Sequence, residues 1–211
     1  MEILSFDTLG STQSYLLKMI ESGEVDKDTA VLALQQTEGI GSRNNRWEGG
    51  RGNFFASVAV AAEHLPEDLP IASASIYFAF LMKKSLQRAG AKIWMKWPND
   101  LYHKEEKVGG VITKKVSSFV VGGIGVNLKK NQNRYSSLDT DISPLILLNI
   151  FLEEVEKKPK WKEVFSQYKI EFELSKSYFT HQNGLKIAMK NAILCEDGSL
   201  DIDGGKVYSL R

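Results

Sequence analysis

Lys96-Trp97-Pro98-Asn99-Asp100-Leu101, followed by Lys107-Val108-Gly109-Gly110-Val111-Ile112, crowds two lysines, a proline turn, an amide, a carboxylate and two adjacent glycines into seventeen positions. The residues around it, Ile93-Trp94-Met95, Val111-Ile112 and Phe119-Val120-Val121, are apolar and β-prone, which predicts strands. The polar groups then fall where strands end, held by a rigid frame. Two lysines directed at one place suit an anion, and paired glycines let a ligand approach the backbone.

Working outward, residues 2–6 read as a first strand, and Ser11 or Thr12 caps a helix carrying Leu16, Leu17, Met19 and Ile20 on one side. Thr29 to Gln35 is apolar on both faces, which predicts a central strand. Residues 36–52 hold five glycines and three arginines (Arg43, Arg46, Arg51), with Ile40 and Trp47 as the large apolar side chains. Such a stretch reads as a long surface loop whose guanidinium and backbone N–H groups can reach an anion, with Trp47 able to close over a flat ring. Asn53 to Val60 resumes a strand. Residues 69–89 are helical in pattern, and Gly90 ends the helix.

Leu101–His103 and Lys107–Thr113 read as a hairpin around Lys104-Glu105-Glu106, and Ser118–Val121 as a strand running into Gly122-Gly123-Ile124-Gly125-Val126-Asn127. That glycine run is neither a dinucleotide fingerprint nor a P-loop, because no helix pattern and no Gly-Lys-Ser/Thr follow it. After a polar loop over 129–142, Ser143-Pro144 opens a helix with Leu145, Leu148, Phe151, Leu152 and Val155 inward. A second helix over about 160–173 is built on Trp161, Val164, Phe165, Tyr168 and Phe172. The tail alternates through Leu185, Ile187 and Met189, Ile193 and Cys195, Leu200 and Ile202, with hairpin turns at Asp197-Gly198 and Gly204-Gly205. It predicts a small β appendage.

The composition excludes several classes. In 211 residues, 27 basic side chains face 26 acidic ones, so no global field draws the chain to nucleic acid or a membrane. Cys195 is the single cysteine, so no internal disulfide can form; it reads as core. The N-terminus lacks a signal-peptide pattern, and the apolar stretch near 71–82 is broken by Ser73, Ser75 and Tyr77. A soluble cytoplasmic protein is expected. His64, His103 and His181 are scattered without ligand spacing, so no metal site is expected.

Taken together, the motifs resemble the biotin–protein ligases, which attach biotin to carrier proteins. Ser11-Thr12-Gln13, the loop from Gln36 to Trp47, Asn53-Phe54-Phe55-Ala56-Ser57, the hexapeptide at 96–101, Lys107-Val108-Gly109-Gly110-Val111 and Gly123-Ile124-Gly125-Val126-Asn127 follow the family's motifs in order. The resemblance implies an α+β fold, a mixed β-sheet flanked by helices of the class II aminoacyl-tRNA synthetase and biotin ligase type. A catalytic domain over 1–174 would precede a small SH3-like β domain over 175–211. It implies ATP, Mg²⁺ and biotin as reactants and the biotin carboxyl carrier protein of acetyl-CoA carboxylase as partner; a homodimer stays open.

The resemblance makes Lys107 the catalytic residue, bridging the biotin carboxylate and the α-phosphate. It assigns biotin to Ser11, Thr12, Gln13, Gln36, Gly39, Ile40, Gly41, Ser42, Lys107, Gly109, Gly110, Gly123 and Gly125. It assigns ATP to Arg43, Arg46, Trp47, Lys96, Asn99, Asp100 and Asn127, with Trp47 stacked on adenine and Asn127 at its edge. Ile40 and Ser42 stand where the family has arginines, so weaker retention of the adenylate, or recruitment of Arg43, Arg46 and Arg51, is expected. No helix-turn-helix precedes Met1, so repressor activity is not expected. Lipoate ligases and octanoyltransferases share the fold, but their Arg-rich triple-glycine loop, His-Asp pair and site cysteine are missing. A non-catalytic biotin or nucleotide sensor is the alternative from another class.

Overall fold

The computed structural model describes residues 1–42, 45–130, 136–182 and 185–209. β1 (Glu2–Leu9), β2 (Thr29–Gln36), β3 (Phe54–Ala61), β4 (Trp94–Lys96), β5 (Asp100–His103), β6 (Glu106–Val116) and β7 (Phe119–Val126) form one sheet in the order β1-β2-β3-β7-β6-β5-β4. β1 and β2 pair in parallel, and the other pairings are antiparallel, so the sheet is mixed as expected. β2 is interior but second from the edge, not central.

Cross-strand partners point to the same side of a sheet. One row therefore crosses all seven strands: Phe6, Ala33, Phe55, Gly125, Gly110, Asp100 and Lys96. α1 (Thr12–Glu21) covers part of this face, packing Leu16 and Ile20 over Val31, Ala59, Phe119 and Val121. The opposite face carries the larger core. There α2 (Ala74–Arg88), α3 (Pro144–Glu156) and α4 (Trp161–Glu171) bury Phe78, Phe151 and Tyr168 with Phe54, Val111 and Trp97. Ridges of apolar side chains at helical spacing make this burial, which is the main favourable term in folding.

Several sequence expectations shift in detail. A single 3₁₀ turn, Ile71–Ser73, precedes α2, so the helix begins at Ala74 and not near 69. Gly90 follows it with φ +88°, as a terminating glycine should. Leu145 is 46% exposed, and Leu147 takes the inward place, because the first turn of α3 faces outward. The β5–β6 turn tightens to Lys104-Glu105, since His103 already pairs with Glu106.

The C-terminal part is strand-rich: β8 (Phe179–Gln182) pairs with β9 (Leu185–Ala188), and β10 (Ile193–Leu194), β11 (Leu200–Ile202) and β12 (Gly205–Val207) form a second small sheet. Met189, Ala192, Leu194, Leu200 and Val207 join the same buried cluster as α2. Two expectations invert there. Ile193 is 66% exposed and Cys195 half-buried, while Leu194 faces the core; an alternation read one residue out of phase reverses every side chain. The β11–β12 turn is Asp203-Gly204, both with positive φ, because Ile202 pairs directly with Gly205.

Candidate functional site

The cleft exists because the Phe55–Lys96 row runs out of large side chains. Past the stretch that α1 covers, the rungs on this face become Gly125–Gly110 and Gly123–Ile112. A Cβ at Gly110 would make only ordinary contacts, 3.6 Å from Asn99 O, Asp100 Oδ1 and Lys107 Cε, so the protein's own packing leaves that surface open. Gly109, one residue away, points to the other face, where a Cβ would sit 2.9 Å from Gly125 O and 3.1 Å from Leu101 Cδ1.

A β-bulge brings Lys107 to this face. Asp100 pairs with Gly110 and Leu101 with Gly109, but Tyr102 pairs with Lys107, leaving Val108 as an extra residue. Simple alternation would put Lys107 and Gly110 on opposite faces. The bulge reverses that and sets Lys107 Nζ 2.5 Å from Asp100 Oδ1. Lys96 Nζ lies 3.3 Å from the other carboxylate oxygen. Burial alone would raise the Asp100 carboxyl; the charges of Lys107 and then Lys96 outweigh it and hold the group below its ordinary value. The carboxylate is thus ionised and orients Lys107, whose side chain is 40% exposed toward the cleft.

Two cavities share this centre. The first, about 480 Å³, lies between the start of α1 and the glycine rungs; its walls include Ser11, Thr12, Gln13, Gln36, Asp100 and Lys107. Ile112, which shares the parity of Gly110, adds apolar surface that the sequence assignments missed; Val111 and Ile124 border the cavity too, but their rung turns its side chains to the other face. The second, about 710 Å³, lies outside it, with Asn45, Arg46, Glu48 and Asn127 in its walls. Gly41, Ser42, Trp47 and Lys107 border both.

The polar wall of the first cavity is tightly arranged. Thr12 donates from its backbone N–H at 2.7 Å and from its hydroxyl at 3.1 Å to Gln36 Oε1. A hydroxyl has one proton to give, so Ser57, 2.9 Å from Thr12 Oγ1, is the donor in that pair. Gln36 thereby keeps its amide NH₂ group as the donor end. Ser11 caps α1 by accepting from Ser14 N at 3.3 Å. Gln13 packs on Gly123, where a Cβ would lie 3.1 Å from its Cδ. Ser57 belongs to this network but was not assigned from sequence; its place opposite Gly123 is visible only in the strand register.

The loop folds over the cleft as a flap. Ile40 bridges Arg46, and Gly41 N donates to Asn45 O at 2.7 Å. The indole of Trp47 rests on Gly125, where a Cβ would come within 2.6 Å of Nε1, so glycine is required. Trp47 Nε1 is buried with no hydrogen-bond partner, and its ring centroid is 6.0 Å from Lys107 Nζ. The indole stands between the two cavities and lines both.

Not every predicted site residue reaches the cleft. Lys96 lines neither cavity and sits behind Asp100. Gly109 is spent on core packing, and Gly39 on the close approach of the Trp47 carbonyl. Asn99 lines the first cavity, but its amide donates to Val111 O and so fixes the turn. Asn127 donates from Nδ2 to Ser136 O at 3.1 Å. Arg46 donates to Thr37 O at 3.0 Å. Arg51 forms a two-pronged ion pair with Asp7 of β1, away from both cavities. Arg43 lies outside the described residues. Among the described residues no three His, Cys, Asp or Glu side chains cluster as a metal site, and no helix is long and apolar enough to cross a membrane.

Comparison with known proteins points one way. The model of the biotin/lipoate A/B protein ligase family matches residues 5–131. The bifunctional ligase/repressor BirA of Escherichia coli is 31% identical over 127 residues, 57% of this chain and 38% of BirA. The biotin–[acetyl-CoA-carboxylase] ligase of Mycobacterium tuberculosis is 27% identical over 146 residues, 67% of this chain and 53% of that ligase. These matches thus span well under two thirds of either relative. In structure, the biotin acetyl coenzyme A carboxylase synthetase of Helicobacter pylori, solved with bound biotinylated ATP, superposes with a TM-score of 0.93 at 38% identity, covering 98% of this chain and 99% of that one.

Proposed function

This chain belongs to the biotin/lipoate A/B protein ligase family, and on that footing we propose that it activates biotin with ATP and transfers the biotinyl group to a lysine of the biotin carboxyl carrier protein of acetyl-CoA carboxylase. A carboxylate oxygen of biotin attacks the α-phosphorus, and pyrophosphate leaves. The carrier amine then attacks the carbonyl carbon of the mixed anhydride; the C–O bond to AMP breaks and the amine gives up its proton.

The observation that carries this reading is Lys107 at the border of two cavities of different character. The inner one offers apolar walls with hydroxyls and amides, suited to an uncharged ureido ring. The outer, larger one offers Arg46, Asn45 and Asn127, suited to a nucleotide. Where they meet, two anions must approach, and one ammonium oriented by Asp100 offsets their repulsion and the charge that develops. Thr12 and Gln36 serve the biotin ring; Arg46 and Asn127 serve the nucleotide. Mg²⁺ enters with the nucleotide phosphates, and the setting is cytoplasmic. The Helicobacter pylori structure with biotinylated ATP supports the pairing of ligands.

The test is pyrophosphate release and adenylate formation with Mg²⁺, ATP and labelled biotin, with lipoate in parallel. Biotin should be activated and lipoate not. Activation of lipoate alone, or binding of biotin without pyrophosphate release, would overturn the reading in favour of a lipoate ligase or a sensor.

A further inference from the structure

Lys96 presents a problem of its own. It stands in the row that builds the cleft, yet its side chain is only 13% exposed and it lines neither cavity. A nearly buried ammonium needs compensation. Asp100 supplies one partner at 3.3 Å, and two ring faces supply the rest: Tyr102 at 5.8 Å and Tyr178 at 6.0 Å from Lys96 Nζ. Tyr102 lies on β5, but Tyr178 comes from the C-terminal strand-rich region. Its ring meets Tyr102 edge-on at 5.3 Å and Trp94 at 5.5 Å, while Trp94 and Tyr102 lie 5.0 Å apart. The trio forms a wall beside the ammonium. The same region also ties down the next residue. The buried Trp97 donates its backbone N–H to Ser175 Oγ at 3.0 Å and its indole N–H to Gly198 O at 2.9 Å.

We infer that Tyr178 is a positioning residue: with Tyr102 it holds the Lys96 ammonium against one oxygen of Asp100, so that the other oxygen is aimed at Lys107. The C-terminal region then acts on the cleft without touching it. Asp100 also faces Tyr102 on its own strand and Tyr168 from α4, whose hydroxyls burial keeps neutral, so the two lysines are the charges that set it. For its kinetic arm this inference rests on the function proposed above; its spectroscopic arm does not.

The experiment is carboxyl and side-chain NMR on the full chain, wild type against Tyr178→Leu and Tyr178→Phe, with adenylate formation measured alongside. In the wild type the Lys96 ε-methylene protons should carry upfield ring-current shifts. In Y178L those shifts should diminish, and the Asp100 carboxyl midpoint should rise by roughly 0.5–1 unit, part of the 1–3 units that an adjacent cation supplies. The kcat for adenylate formation should fall about fivefold to tenfold with the KM for biotin unchanged. Y178F, which keeps the ring, should restore all three. An unchanged Asp100 midpoint in folded Y178L overturns the inference, as does a wild-type Lys96 without ring-current shifts, which is readable even if Y178L does not fold. If instead the wild type makes no pyrophosphate from biotin and ATP, the proposed function fails, and the NMR result still decides the role of Tyr178.

Discussion

The two faces of β6 and β7 are made from alternating residues of the same strands, yet one is closed and the other open. On the closed face Val111, Ile124 and Val126 meet α2 and α3, and Gly122 is small because Phe78 lies 3.2 Å from where its Cβ would be. On the open face Gly123 meets a glutamine, Gly125 an indole and Gly110 the cleft. Glycine thus serves packing on one side and access on the other. What distinguishes the two is the neighbour that a side chain would strike.

The largest way to break this comparison is from the closed side. Phe78→Ala should cost about 3–5 kcal/mol, read as a lowered urea midpoint, because a fully buried ring leaves a cavity under the sheet. Biotin affinity of the folded fraction should survive. From the open side, Lys107→Ala should lower adenylate formation by about 10²–10³-fold with the chain still folded, since it removes one preorganised cation and no core contact; the thermal midpoint should fall modestly, because Asp100 loses one of its two cationic partners. A far-UV circular dichroism spectrum with the wild-type helical intensity should accompany the loss.

The neighbouring glycines Gly109 and Gly110 sharpen the contrast further. Gly109→Ala should destabilise by about 1–3 kcal/mol, because its Cβ would lie 2.9 Å from the backbone oxygen of Gly125. Gly110→Ala should change stability by less than about 0.5 kcal/mol. Its methyl would instead enter the cleft and weaken biotin binding by about tenfold or more in calorimetry. Equal effects of the two on stability would sink the two-face account.

The smallest effect is electrostatic. Asp100 titrates below its ordinary value of 3.8 in the folded protein, through Lys107 and Lys96 against the opposing effect of burial. A lowered folded value means that its contribution to stability is complete above the unfolded value and is lost as pH falls through the folded one. Wild type and Asp100→Asn, compared by urea unfolding from pH 6 downward, should therefore differ most above about pH 4 and converge as the medium becomes more acidic.

Much of this organisation was legible. The strands around the hexapeptide, the cap at Ser11, the glycine that ends α2 and the flap from Gln36 onward follow from local rules that need no partner. Cys195 and Ile193 were misread because a short strand at the surface gives two equal choices of phase, and Leu194 won by reaching the core. Lys96 differs for another reason: its charge suggests a phosphate ligand, whereas the structure sets it behind Asp100, against rings that come from β5 and from Tyr178, eighty-two positions away. Arg51 likewise found Asp7 on β1 before any phosphate.

By itself the sequence determined which chemical groups are present and in which elements they stand, because propensity, capping and turn chemistry act over a few residues. Only the tertiary structure decided which lysine enters the cleft. The extra residue at Val108 turns Lys107 to the open face, while pairing across β4 and β5 sets Lys96 behind Asp100. A strand's register is fixed by hydrogen bonds to partners distant in the chain, and a one-residue change in it moves a side chain from one face of the sheet to the other.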